Sequence, residues 1–141
     1  MITKEKVIVP KMNKKIIVDL NNFLFEDPNT IGKAKMIYVE KLEVYLTNLG
    51  YNNVIFIAGP KLRFFNDDNK KYEKLIKEKK IYQSPAMVDS DWYILSFAKK
   101  NNCDILTNDK YKEYWNEFGK EWIMEKRKTF MLVDEQISIK N

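Results

Sequence analysis

The chain has 141 residues, 25 Lys plus Arg against 20 Asp plus Glu, no histidine and one cysteine. That length is one domain. The two low counts exclude a Ser-His-Asp or Cys-His nucleophile, a histidine base, an intramolecular disulfide and a cysteine-rich zinc site. Chemistry here must use carboxylates, amines, hydroxyls or a recruited metal ion. With 45% hydrophobic and 13% aromatic residues the composition is globular rather than disordered. No apolar run approaches the ~20 residues of a membrane span. Residues 1–13 read as an N-terminal extension without a signal-peptide core, so the expected location is cytoplasmic. The net charge of +5 is mostly lysine, since Arg63 and Arg127 are the only arginines. It suits a polyanion partner and does not by itself establish one.

In chain order, Lys14–Asp19 predicts a buried strand ending in a carboxylate. Asn21, Asn22, Asp27, Pro28 and Gly32 mark a loop. A helix is expected over 33–49, with Tyr38, Leu42, Tyr45 and Leu49 on one stripe and Gly50 as its C-terminal cap. Asn53–Ala58 is a second strand, closed by Gly59-Pro60. Residues 61–69 read as a polar, irregular stretch, and 61–71 is the most flexible segment expected. Asp67 or Asp68 then caps a helix to about Lys79. Lys80–Gln83 is a short strand, and Asp89 or Asp91 starts a helix through Asn101. Asp104–Thr107 is a fourth strand. Two helices are expected at 110–118 and 120–126, and 129–133 is the last strand. Strands alternate with helices, so the fold class is α/β, a three-layer α/β/α arrangement with a mainly parallel sheet of about five strands.

The acids recur at one topological place. Asp19 and Asp109 each follow the C-terminal end of a strand, and Asp89 and Asp91 open a helix leading into the next strand. Open parallel sheets bind ligands at that end. These acids meet only if the first and fourth strands are neighbours. Glu113, four residues after Asp109, is placed on the same helical face. Carboxylates so gathered repel one another, and a divalent cation with oxygen ligands, Mg²⁺ or Mn²⁺, relieves the repulsion. Each Asp taken singly is also a common helix cap. Four scattered glycines leave neither a dinucleotide fingerprint nor a P-loop.

These residues resemble the NYN branch of the PIN-like nucleases, especially the Regnase (MCPIP) ribonuclease domain and the metallonuclease domain of protein-only RNase P. The matching text is Asp19-Leu20-Asn21-Asn22, Ser90-Asp91-Trp92-Tyr93, and Thr107-Asn108-Asp109 followed by Glu113. Segments 122–127 and 130–133 resemble the family's last helix and strand. The resemblance implies a PIN-like fold, bound Mg²⁺ or Mn²⁺, and endonucleolytic cleavage of RNA leaving a 5′-phosphate, in RNA processing or decay, with single-stranded, structured or tRNA-like substrates. Dimers are common among PIN-like proteins, so a homodimer is one expected assembly, although no self-complementary stripe is legible here. Applied residue by residue, it makes Asp19, Asp91, Asp109 and Glu113 catalytic metal ligands, with Asp89 beside them and Asn22 positioning a water or phosphate oxygen. Candidate backbone-binding residues are Lys61, Arg63, Lys110, Lys112 and Arg127, with Phe64 and Phe65 stacking on bases. This chain departs from the family pattern at Ser90, where the first acid of a pair belongs, and at Leu20 and Asn21. The alternative expectation is therefore a catalytically weak or inactive PIN-like RNA-binding protein.

Overall fold

The computed structural model describes residues 14–26 and 32–140; the predicted N-terminal extension at 1–13 lies outside them. Six strands form one sheet: β1 (Lys15–Asp19), β2 (Asn53–Ala58), β3 (Ile81–Gln83), β4 (Asp104–Leu106), β5 (Arg127–Val133) and β6 (Gln136–Lys140). Their order is β3-β2-β1-β4-β5-β6. The first five run parallel and β6 returns antiparallel to β5. The first and fourth strands are thus neighbours, with Ile17 opposite Ile105 and Val18 opposite Leu106. The family architecture expected from sequence is present, with one strand more than the five expected. The addition, β6, joins β5 through Asp134 and Glu135, both at positive φ, so the hairpin uses a two-residue turn without the usual glycine.

Strand β1 is apolar and buried along nearly its whole length because both sheet faces are covered. On one face Ile16 and Val18 pack with residues of α1 (Leu20–Leu24), α2 (Ile37–Asn48) and α3 (Asn69–Lys77). On the other, Ile17 packs with α4 (Ser90–Asn101) and α5 (Lys120–Lys126). Side chains alternate along a strand. Asp19 shares Ile17's parity, so it emerges toward the α4 face.

Three segments differ from the sequence expectation. The loop after β1 begins with the helix α1, because the Asp19 side chain accepts the Asn22 N–H at its start. The segment expected to be most flexible is stapled. Pro60–Phe64 is a 3₁₀ turn, the Asn66 amide donates to Leu62 and Arg63 carbonyls at 2.8 and 3.3 Å, and Ala34 exchanges backbone bonds with Phe65 and Asp67. Asp67 accepts the Met36 N–H while Asp68 caps α3, so the two aspartates divide the work the sequence left open. Finally, no α-helix spans 110–118. Tyr111 adopts a left-handed conformation (φ 53°, ψ 40°), followed by a 3₁₀ turn at Lys112–Tyr114 and a π-helical turn at Trp115–Gly119. Among the described residues no helix is long and apolar enough to cross a membrane.

Candidate active site

The order of strands places the ends of β1 and β4 side by side where connections leave the sheet in opposite directions, the position at which α/β sheets open a crevice. Asp19 stands there and is only 6% exposed. Its Oδ2 accepts the Tyr111 hydroxyl at 2.7 Å and the Thr107 hydroxyl at 3.0 Å. Its Oδ1 has one long bond, 3.5 Å from the Asn22 N–H. Burial pushes the Asp19 carboxyl above its ordinary value, the bonds from Tyr111, Thr107 and Asn22 oppose that, and Asp109 adds repulsion.

Asp91 lies in the first turn of α4. Asp89 caps that helix, accepting the Asp91 N–H at 3.1 Å. The Asp91 carboxyl is raised to about 7, first by desolvation and then by the charges of Asp19, Asp109, Asp89 and Glu113. The charges of the four other predicted acids therefore all bear on Asp91. Gly59 lets the segments draw close. A Cβ on it would stand 3.3 Å from the Asn21 amide nitrogen and 3.5 Å from Ser90 Oγ, and its N–H donates to Asn21 Oδ1 at 3.0 Å.

The loop after β4 is fixed by side chains. Asn108 accepts the Phe130 N–H through Oδ1 at 3.0 Å and donates from Nδ2 to the Phe130 carbonyl at 3.1 Å, so its amide extends the ladder to β5 beyond the end of β4. Its N–H goes to Asn22 Oδ1 at 2.9 Å, and its carbonyl accepts from the Arg127 guanidinium at 3.2 Å. Asn22 and Arg127 thus brace this loop, whereas the sequence reading assigned Asn22 to a water or phosphate oxygen and Arg127 to the RNA backbone. Asp89 is likewise engaged, through its cap and a hydrogen bond from Tyr114. Glu113 reaches the cluster from a 3₁₀ turn, so the shared helical face with Asp109 does not exist. Arg63 is held by Glu73 through two bonds, at 2.6 and 3.1 Å. Lys61, Lys110 and Lys112 are exposed, as are Phe64 and Phe65. The sequence marks Thr107 and Asn108 only as letters of the matching motif, without this supporting role, and does not single out Tyr111.

The family profile described as Zc3h12a-like Ribonuclease NYN domain matches residues 12–139. The chain belongs to this family. Nuclease activity is the function that membership carries. Two solved structures of nuclear protein-only RNase P 2 (PRORP2) from Arabidopsis thaliana are similar in fold. One, titled as proteinaceous RNase P 2, shares 19% identity with a TM-score of 0.73 over 94% of this chain. The other shares 20% with a TM-score of 0.71 over 92%. This NYN domain spans 30% of each of those chains. No curated protein matches it in sequence.

The donor set at the crevice is all oxygen, the chemistry that Mg²⁺ and Mn²⁺ accept. Among the described residues no group of three or more acids stands arranged to hold a metal ion, so an ion here would take one or two carboxylates directly and keep several waters. A second recess, between α2 and α3, is lined by Glu40, Glu43, Lys71 and Lys80 and holds none of these acids. Its charges pair with each other, Lys71 with Glu40 at 2.8 Å and Lys80 with Glu43 at 3.4 Å.

Proposed function

We propose that this NYN domain is a metal-dependent endoribonuclease that hydrolyses RNA phosphodiester bonds and leaves a 5′-phosphate. The observation that carries the reading is Asp91. Burial first, and then the charges of four other carboxylates, lift it to about 7, an arrangement that is unfavourable in a bare protein and is relieved by a bound cation. When bound, a divalent cation supplies an activated water and offsets charge on the phosphate under in-line attack.

The chain's own residues supply the frame. Asp19, Asp91 and Asp109 would hold the ion, directly or through its waters, and Glu113 would assist. Asn22 and Asn108 keep the β4 loop against β1 and β5, so Asp19 and Asp109 stay at a fixed separation. Lys61, Lys110 and Lys112 draw in the phosphate backbone, and Phe64 and Phe65 offer faces for unpaired bases. Arg63 and Arg127 serve the fold rather than the substrate. RNA that is single-stranded or folded, including tRNA-like shapes, is the proposed substrate, in processing or decay within the cytoplasm.

The test is incubation with an end-labelled structured RNA in Mg²⁺, Mn²⁺ or EDTA. The expected result is internal cleavage with metal, none in EDTA, products that a ligase needing 5′-phosphate can join, and loss of cleavage in Asp109→Asn. Cleavage that persists in EDTA or in Asp109→Asn removes the proposed site. RNA binding without cleavage in any metal favours the non-catalytic reading, for which Ser90 in place of an acid is the motivating residue.

A further inference from the structure

Tyr111 touches both strand-end acids through different atoms. It is 1% exposed. Its hydroxyl donates to Asp19 Oδ2 at 2.7 Å, and its backbone N–H donates to Asp109 Oδ1 at 2.8 Å. It makes both bonds from a left-handed backbone. That conformation is rare for a bulky side chain and persists where the surroundings over-determine it. Thr107, fully buried, makes a parallel connection: its hydroxyl donates to the same Asp19 Oδ2 at 3.0 Å and accepts the Asp109 N–H at 3.1 Å. Asp19 Oδ2 is filled by two hydroxyls, whereas Asp109 Oδ1 accepts one amide and is oriented rather than filled.

We propose that Tyr111, with Thr107, is a positioning residue that compels Asp19 to offer a single oxygen and orients Asp109 beside it, and that this sets the site's choice of cation. The inference rests on the metal-dependent reading above. A cation that wants six to eight oxygens, Ca²⁺, gains its coordination from carboxylates that bind through both oxygens. A small octahedral ion takes one oxygen from each carboxylate and keeps its waters. Filling one oxygen of Asp19 disfavours the first kind and suits the second. The site is thus tuned for Mg²⁺ or Mn²⁺ against Ca²⁺ by residues that are not themselves ligands. Outer partners of metal-ligating groups commonly act in this way.

The experiment is calorimetric titration of Mn²⁺ and of Ca²⁺ into the metal-free protein, for the parent, Tyr111→Phe, Thr107→Val and Thr107→Ser. Tyr111→Phe keeps the ring and deletes the hydroxyl. The expected result is Mn²⁺ affinity weakened about tenfold in Tyr111→Phe, with Ca²⁺ affinity unchanged or stronger, so that the Mn²⁺/Ca²⁺ preference collapses. Thr107→Val should shift the preference in the same direction, and Thr107→Ser, which retains the hydroxyl, should restore it. A purely structural role for Tyr111 would weaken both ions together and leave the ratio where it was. An unchanged ratio in Tyr111→Phe, with Mn²⁺ bound by the parent, overturns this inference and leaves the nuclease reading standing. A parent that binds neither ion overturns both. If Tyr111→Phe does not fold, Thr107→Val decides by the same ratio.

Discussion

Replacing Asp91 with Asn should make the metal-free protein more stable, and only above mildly acidic pH. The Asp91 carboxyl moves from 3.8 to about 7 on folding. At about 1.4 kcal/mol per pH unit, that displacement equals about 4 kcal/mol. Asp91 is partly open to water, so screening reduces the figure to on the order of 1–2 kcal/mol. The N-terminus of α4 favours the ionised form by about 0.5 kcal/mol, which the variant forgoes. The sign follows from proton counts. Below about pH 4 the carboxyl is protonated in both states and contributes nothing. Between 4 and 7 the folded protein holds a proton the unfolded chain has lost, so the parent loses stability as pH rises, and the loss is complete above about 7. Asn does not titrate and escapes it. Urea unfolding in EDTA at pH 4 and at pH 8 measures the effect. The two proteins should differ little at pH 4, and Asp91→Asn should be the more stable by about 1–2 kcal/mol at pH 8. Saturating Mg²⁺ should then raise the parent well above its EDTA value and the variant much less, since only a ligand preferring the folded state stabilises it. A variant less stable than the parent at pH 8 in EDTA, or a difference independent of pH, refutes the claim that these acids crowd one another.

Two further outcomes separate the roles assigned to neighbouring residues. Lys110→Ala and Lys112→Ala should each weaken RNA binding and reduce the slope of log affinity against log salt by about 0.7 for a single strand, whereas Arg63→Ala should leave that slope unchanged; filter binding across a salt series reads both. Asn108→Ala should destabilise the protein by about 1–3 kcal/mol, because Phe130 loses a ladder partner in a part-buried position, and should slow cleavage more than it weakens RNA binding, as seen by comparing kcat with KM; a fully active, fully stable variant would show that the β4 loop needs no brace.

The apolar runs of β1, β2 and β4 were readable because parallel strands covered on both faces are hydrophobic throughout. The acids at their ends were readable because such sheets place ligands there. Whether those acids met depended on strand order, which no local pattern fixes. Pairing of β1 with β4 supplied it. Strand β6 carried a legible signal in the alternation Gln136-Ile137-Ser138-Ile139-Lys140, with Ile137 and Ile139 packing inward. The turn before it hid the hairpin, since Asp134-Glu135 lacks the glycine that marks such turns. The helical pattern at 110–118 misled because tyrosine gives no hint of left-handed backbone. That conformation comes with a local bond to Asp109 and a tertiary one to Asp19, which no local pattern reveals. Asn22 and Asn108 have the same origin. An amide in a loop reads as a turn residue, and only the neighbouring strand reveals it as a rung of the ladder.

The bonds that define the crevice join distant parts of the polypeptide: Asp19 to Thr107 and Tyr111 across 88 and 92 residues, and Asn22 to Asn108 across 86. The β1–β3 half offers Asp19 only the long bond from the Asn22 N–H, and both short ones come from beyond β4. The centre is complete only when β4 docks against the opposite edge of β1, a non-local pairing of the kind that slows folding. On the proposed reading, a chain whose segment from β4 onward has not yet folded holds no competent cleavage site.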